Sequence, residues 1–137
     1  MPNVMYTSGK VALLSGNLDW DASNMYVALV DGTYVFDDDH LVLDDVDGII
    51  GTPAPLAGRV VTDIGAGDAN DVTTMVIPLG VTCRGLVIYK NTLLGSTSTL
   101  VFFWDTNDDC TPINRPGDDG AVPVIWSNGA DKLYQIL

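Results

Sequence analysis

A single histidine, two cysteines and eighteen aspartates carry whatever reactive chemistry this sequence offers. A serine- or cysteine-type hydrolase needs a nucleophile, an imidazole base and a group that orients the base. His40 stands in Asp37-Asp38-Asp39-His40, away from any Gly-x-Ser-x-Gly elbow, and neither Cys83 nor Cys110 has a recognised catalytic setting. His40 therefore reads as a solvated histidine beside a helix cap, and the chain as a non-enzyme. Carboxylate pairs could serve glycoside hydrolysis, but among so many aspartates a pair at a suitable distance arises without selection. Gly65-Ala66-Gly67 opens like a dinucleotide-binding fingerprint that the following residues do not complete, so it reads as a turn. The cysteines lack metal-ligand spacing and are expected as free thiols.

Calcium is the one cofactor the composition admits, because it takes carboxylate and carbonyl oxygens of the kind aspartate loops supply. Asp37-Asp38-Asp39 and Asp45-Val46-Asp47-Gly48 are two candidates. Asp105, Asn107 and Asp109 form a third and have the spacing with which a calcium loop begins. Cys110, however, stands where the helix-loop-helix motif needs glycine, and no terminal glutamate follows. A solvated loop competes with a bound cation at these three residues.

The elements that must position these groups follow from composition. All the acidic residues are aspartate, with no glutamate and a lone glutamine, Gln135. Aspartate competes for nearby backbone groups and favours turns and caps, so long surface helices are not expected. Fourteen glycines and seven prolines, with many Val and Thr, point to strands joined by Asp/Gly turns. At 137 residues the chain suits one domain. A net charge of -12 with six scattered basic residues argues against a phosphate-backbone partner. Met1 to Tyr6 contains no basic segment followed by an apolar stretch, and no long apolar run offers a membrane span. Synthesis in the cytoplasm and no membrane contact are the expectations.

The pattern predicts a short helix from Ser8 to Ser15, with Val11, Leu13 and Leu14 as its apolar contacts and Gly16 as its stop. Asn24 to Val30 reads as a strand ended by Asp31-Gly32, and Thr33 to Phe36 as extended chain. A second short helix is expected from Asp39 to Val46, then a break at Gly51-Thr52-Pro53-Ala54-Pro55. Further strands are expected at Gly58 to Thr62, Val72 to Ile77, Gly85 to Lys90, Thr97 to Trp104, Val122 to Trp126 and Lys132 to Ile136. In the fifth of these, alternation puts Val122, Val124 and Trp126 on one face. Leu100 to Trp104 is apolar on both faces, so it is either covered on both sides or shared with another subunit. The expected fold is mainly β: a compact antiparallel β-sandwich or partial barrel with one or two short helices near the N-terminus.

Met1-Pro2-Asn3-Val4-Met5-Tyr6-Thr7 leading into Ser8-Gly9-Lys10, then Met25 to Asp31, Gly85 to Thr92, Trp126-Ser127-Asn128-Gly129-Ala130-Asp131 and Leu133-Tyr134 together resemble small virion structural proteins of tailed bacteriophages. The resemblance implies a non-enzymatic component of the virion, with other virion proteins, above all the major capsid protein, as partners. With no coiled-coil or repeat shaft in the chain, a head decoration or cement subunit comes first. A neck, tail or fibre-associated subunit that helps attach to the host is the alternative. A carbohydrate-binding module is another, with Trp20, Trp104 and Trp126 as stacking platforms. For a particle clamp a homo-oligomer, a trimer first, is expected, since linked copies raise avidity. Its shared surface would involve Val101 and Phe103 on one strand or Leu133, Ile136 and Leu137 at the C-terminal edge.

Overall fold

The computed structural model describes residues 4–61, 67–106, 111–126 and, as backbone, 134–136. The chain begins with β1 (Val4–Met5), α1 (Thr7–Leu14), β2 (Met25–Val30) and β3 (Ile49–Pro55). There follow β4 (Val60–Val61), β5 (Gly67–Asp68), β6 (Val72–Val76), β7 (Thr82–Cys83) and β8 (Gly85–Lys90). The last four are β9 (Thr99–Trp104), β10 (Arg115–Pro116), β11 (Ala121–Trp126) and β12 (Tyr134–Ile136). A five-stranded antiparallel sheet of order β1-β9-β8-β2-β3 faces a three-stranded sheet of order β12-β11-β6, with two-stranded ribbons β10-β7 and β4-β5 beside them. This is the expected mainly β, sandwich-like architecture, and among the described residues no barrel closes.

The large sheet is covered on both faces, which is why its central strands read as unbroken apolar runs. Met25, Val27 and Leu29 of β2, with Leu86 and Ile88 of β8, pack against Val72, Met75, Val122, Val124 and Trp126 of the small sheet. The alternation in β11 thus buries the three residues its sequence singles out. On the other face, Ala28, Val30, Val87, Tyr89, Leu100 and Phe103 pack under Tyr34 and Val46, which lie between β2 and β3 in the chain. That intervening strap, residues 31–48, closes on itself where the Asp31 N–H donates to Gly48 O at 2.9 Å.

β9 obtains its two faces through a bulge. Ile88 pairs with Phe102 but Tyr89 pairs with Leu100, which leaves Val101 as the extra residue. An extra residue reverses the alternation locally. Val101 therefore joins Phe102 and Trp104 on the side of the small sheet, while Leu100 and Phe103 face the strap. Val101 is 0% and Phe103 6% exposed. Both side chains are core of this chain, so neither supplies the subunit contact expected of them.

Three further expectations are corrected by the structure. The second helix shrinks to one 3-10 turn, Leu43–Asp45, because its backbone is taken elsewhere: Leu43 N–H donates to Ser98 O at 2.9 Å, and Val42 bridges Thr99. The Gly51 to Pro55 segment is not a break but most of β3. β3 lies at the rim of its sheet, where Pro53 and Pro55 cost no ladder bond on the open side, and Gly51 takes φ +61 where the register with β2 shifts. In α1 the apolar contacts are reversed. Gly9 and Ala12 are the buried residues, while Val11, Leu13 and Leu14 are exposed.

Candidate functional site

The polar groups that could do chemistry converge on the strap and the helix beside it. The Tyr6 and Tyr34 hydroxyls lie 2.6 Å apart, and the Tyr34 hydroxyl is 3.0 Å from His40 Nδ1. Tyr6 is fully buried. Burial first, and the Tyr34 contact second, push its phenol far above the ordinary range, and burial also raises Tyr34. Among the described residues the His40 ring hydrogen-bonds to Tyr34 alone. The imidazole thus terminates a neutral hydroxyl chain that ties the strap to the start of α1 and is not paired with a nucleophile.

The aspartates of the strap act on backbone. Asp38 accepts from the Thr7 N–H at 2.8 Å and from Thr7 Oγ1 at 2.6 Å, which satisfies a first-turn donor of α1 from a distant segment. These two bonds hold its carboxyl below the usual range. Asp45 Oδ2 accepts from Leu41 N–H at 2.9 Å and Val42 N–H at 3.1 Å, with the same effect. Asp37 Oδ1 accepts from Asp39 N–H at 2.9 Å. Asp31 Oδ1 accepts from the Thr33 hydroxyl at 2.6 Å and from its N–H at 2.9 Å, and is likewise lowered. Among the described residues no three acidic, histidine or cysteine side chains gather as a cation site. Of the third calcium candidate, Asp105, Asn107 and Asp109, only Asp105 is among the described residues. Its Oδ1 accepts from Thr106 Oγ1 at 2.9 Å, while Asn107 and Asp109 lie outside the described residues.

Cys83 is fully buried, and its Sγ is 3.3 Å from Gly85 O. Burial pushes the thiol up to about 11, so the thiolate that would react is disfavoured at neutral pH. Cys110 lies outside the described residues. A shallow groove of about 310 Å³ runs between strap and sheet, with Val30, Asp31, Tyr34, Phe36, Arg84 and Asp105 in its lining.

The tryptophans form a continuous line of rings rather than separate platforms. Trp20 meets Phe102 edge-on at 6.4 Å, Phe102 stacks on Trp104 at 5.1 Å, and Trp104 meets Trp126 at 6.2 Å. Two indoles are committed to the chain itself. Trp20 Nε1 donates to Asp68 O at 3.0 Å and Trp126 Nε1 to Asn70 O at 2.8 Å, which anchors the segment around β5. Trp126 is buried, and Trp20 and Trp104 are half-buried.

Of the proposed edge residues, Ile136 pairs through its backbone with Val124, and Leu133 and Leu137 lie outside the described residues. What the sequence reading missed is the outward face of α1. Its signal was the small pair Gly9 and Ala12, three apart on one helix face, opposite larger apolar side chains. No family model, no curated protein and no solved structure matches this chain.

Proposed function

We propose that this protein is a non-enzymatic structural component of a tailed-phage particle, a head decoration or cement subunit seated on the capsid. The single observation that carries the non-enzymatic part is that, among the described residues, the side chains the sequence offers for chemistry are tied into the fold. His40 ends the Tyr6–Tyr34 chain, Asp38 and Asp45 bind backbone donors, and Cys83 is buried. A catalytic group needs a free reactive atom at a concave site. The particle itself is supported by the likeness of the strand and turn motifs to phage virion proteins. Copies would be linked as a trimer or ring, and β12, at the rim of its sheet, offers the backbone edge on which a neighbour could pair. Mass spectrometry of purified particles tests the membership, and cryo-electron microscopy of the same particles tests the place. Density on the capsid is the expected result. Absence from the particle removes the whole reading, and density confined to the tail removes the head assignment.

A further inference from the structure

Six of the exposed large apolar residues of this acidic chain sit on three segments that lie along one strand. Val11, Leu13 and Leu14 lie exposed on α1, Leu41 on the strap, and Leu93 and Leu94 on the turn before β9, with Leu14 and Leu93 at 88% and 84%. The backbone stitches these three segments side by side along β9. Ser8 Oγ donates to Leu100 O at 2.8 Å, while Leu100 N–H donates to Leu41 O at 3.0 Å. Leu43 N–H donates to Ser98 O at 2.9 Å, and Ser98 N–H to Leu94 O at 3.1 Å. Helix, strap and turn therefore adjoin along β9, and exposed apolar side chains gathered on adjoining segments mark an interaction surface.

A second feature concerns how Leu93 is displayed. It takes φ 72, a left-handed conformation that L-residues other than Asn and Asp seldom adopt, and its N–H is held by Asn91 Oδ1 at 3.2 Å. A strained backbone here presents a leucine where a glycine would relieve the strain, and such strain gathers at functional positions.

The charge around the patch selects its occupant. Asp37, Asp38, Asp39, Asp44 and Asp45 are all exposed on the strap around Leu41, and Asp44 reaches the turn through its N–H to Gly95 O at 3.2 Å. Lys10 is the single cation of α1. Two copies meeting at this face would bring acidic rim against acidic rim, in a chain of net charge -12. Like charges held across an interface oppose association, whereas opposite charges steer and fix it. An anionic lipid surface is disfavoured for the same reason.

We infer that the outward face of α1, continued by Leu41, Leu93 and Leu94, docks a different protein that presents an apolar seat flanked by lysines or arginines. The surface has this chemistry whether or not the assembly belongs to a phage. A nuclear magnetic resonance titration of the full chain tests it with two synthetic amphipathic helices, alike in their leucine face and flanked by lysines in one and glutamates in the other. The lysine peptide should shift the resonances of Val11, Leu13, Leu14, Leu41, Leu93 and Leu94, and its affinity should fall by about tenfold or more as salt is raised through the physiological range. The glutamate peptide should shift none of them. The double variant V11S/L14S should lose at least about tenfold in affinity with unchanged circular dichroism, since neither side chain supports the core. Equal response to both peptides, shifts spread over the aspartate loops instead of the patch, no response to the lysine peptide, or a wild-type oligomer that V11S/L14S dissociates would each overturn the inference.

Discussion

Replacing Gly9 by alanine sets helix propensity against packing, and the two predict opposite signs. Alanine in a helix interior is better than glycine by about 1 kcal/mol, so an isolated α1 would gain. In the protein, an added Cβ would stand 2.8 Å from Val101 Cα and 2.9 Å from Val101 O, both backbone atoms of a bulge that cannot rotate away. The helix must lift off β9 until those contacts lengthen. Lifting stretches the bonds from Ser8 Oγ to Leu100 O, 2.8 Å, and from Tyr6 N–H to Val101 O, 2.9 Å, each worth about 1 kcal/mol. Overpacking adds roughly 1–3 kcal/mol before relaxation. Against the propensity gain, the expected net loss is about 2–4 kcal/mol, a Tm lower by roughly 7–14 °C for a chain of this length. Urea unfolding followed by circular dichroism, with the slope unchanged, measures it. Ser8→Ala, which removes one bond without adding bulk, should cost less. A Gly9→Ala protein that is as stable as wild type, or more so, would refute the close approach of α1 to β9.

Phe103→Asp puts an unpaired charge among Tyr34 and Phe36, whose rings both lie 5.5 Å from that of Phe103; circular dichroism should show an unfolded chain and not a folded, dissociated protomer. Arg59 donates through Nε to Trp20 O at 2.7 Å and through its other nitrogens to Leu56 O and Ser23 O. Arg59→Lys cannot reproduce that fork and should cost about 1–2 kcal/mol, with a red shift of Trp20 emission as its loop loosens. Stability should fall at both ends of the pH range. Tyr6, Tyr34, Tyr89 (up to about 12) and Cys83 (up to about 11) are raised chiefly by burial. Their contribution is full below their unfolded values, near 9 to 10, and is lost as pH rises through the folded ones. Tyr6→Phe should flatten that alkaline limb in a thermal-melt series. Asp31, Asp38 and Asp45 are lowered by hydrogen bonds, so their contribution is present above about pH 4 and lost as pH falls below it, a limb that Asp38→Asn should reduce.

Much of the fold was legible in local pattern. β2 and β8 could be read because each is a β-branched and aromatic run of six residues, and β11 because its buried residues alternate. The bulge at Val101 was not legible, since it appears only when β9 is laid against β8. The same holds for β3, whose prolines break a strand in general but not one at a sheet edge. The second helix failed because capping aspartates look alike whether they start a helix or turn back, as Asp45 does, to bind Leu41 and Val42. At the site, aspartate's preference for backbone partners was legible in the composition. Which backbone it would find was not: Asp38 and Thr7 are 31 residues apart.

The strap links the fold to the docking surface. A loop carrying Leu41 among charged side chains would ordinarily lose much conformational freedom on binding, and that loss reduces affinity. Here the freedom is already gone. The strap is closed at its base by Asp31 and Gly48, buried beneath by Tyr34 and Val46, fastened to α1 by Asp38 and paired to β9 through Val42. Its aspartates do two things at once, since one carboxylate can accept a backbone donor and still keep its charge toward solvent. The hydrogen bonds that lower Asp38 and Asp45 therefore keep the acidic rim ionised while they hold the leucines in place. The covering of the second face of the sheet and the preorganisation of the apolar patch are one structural act.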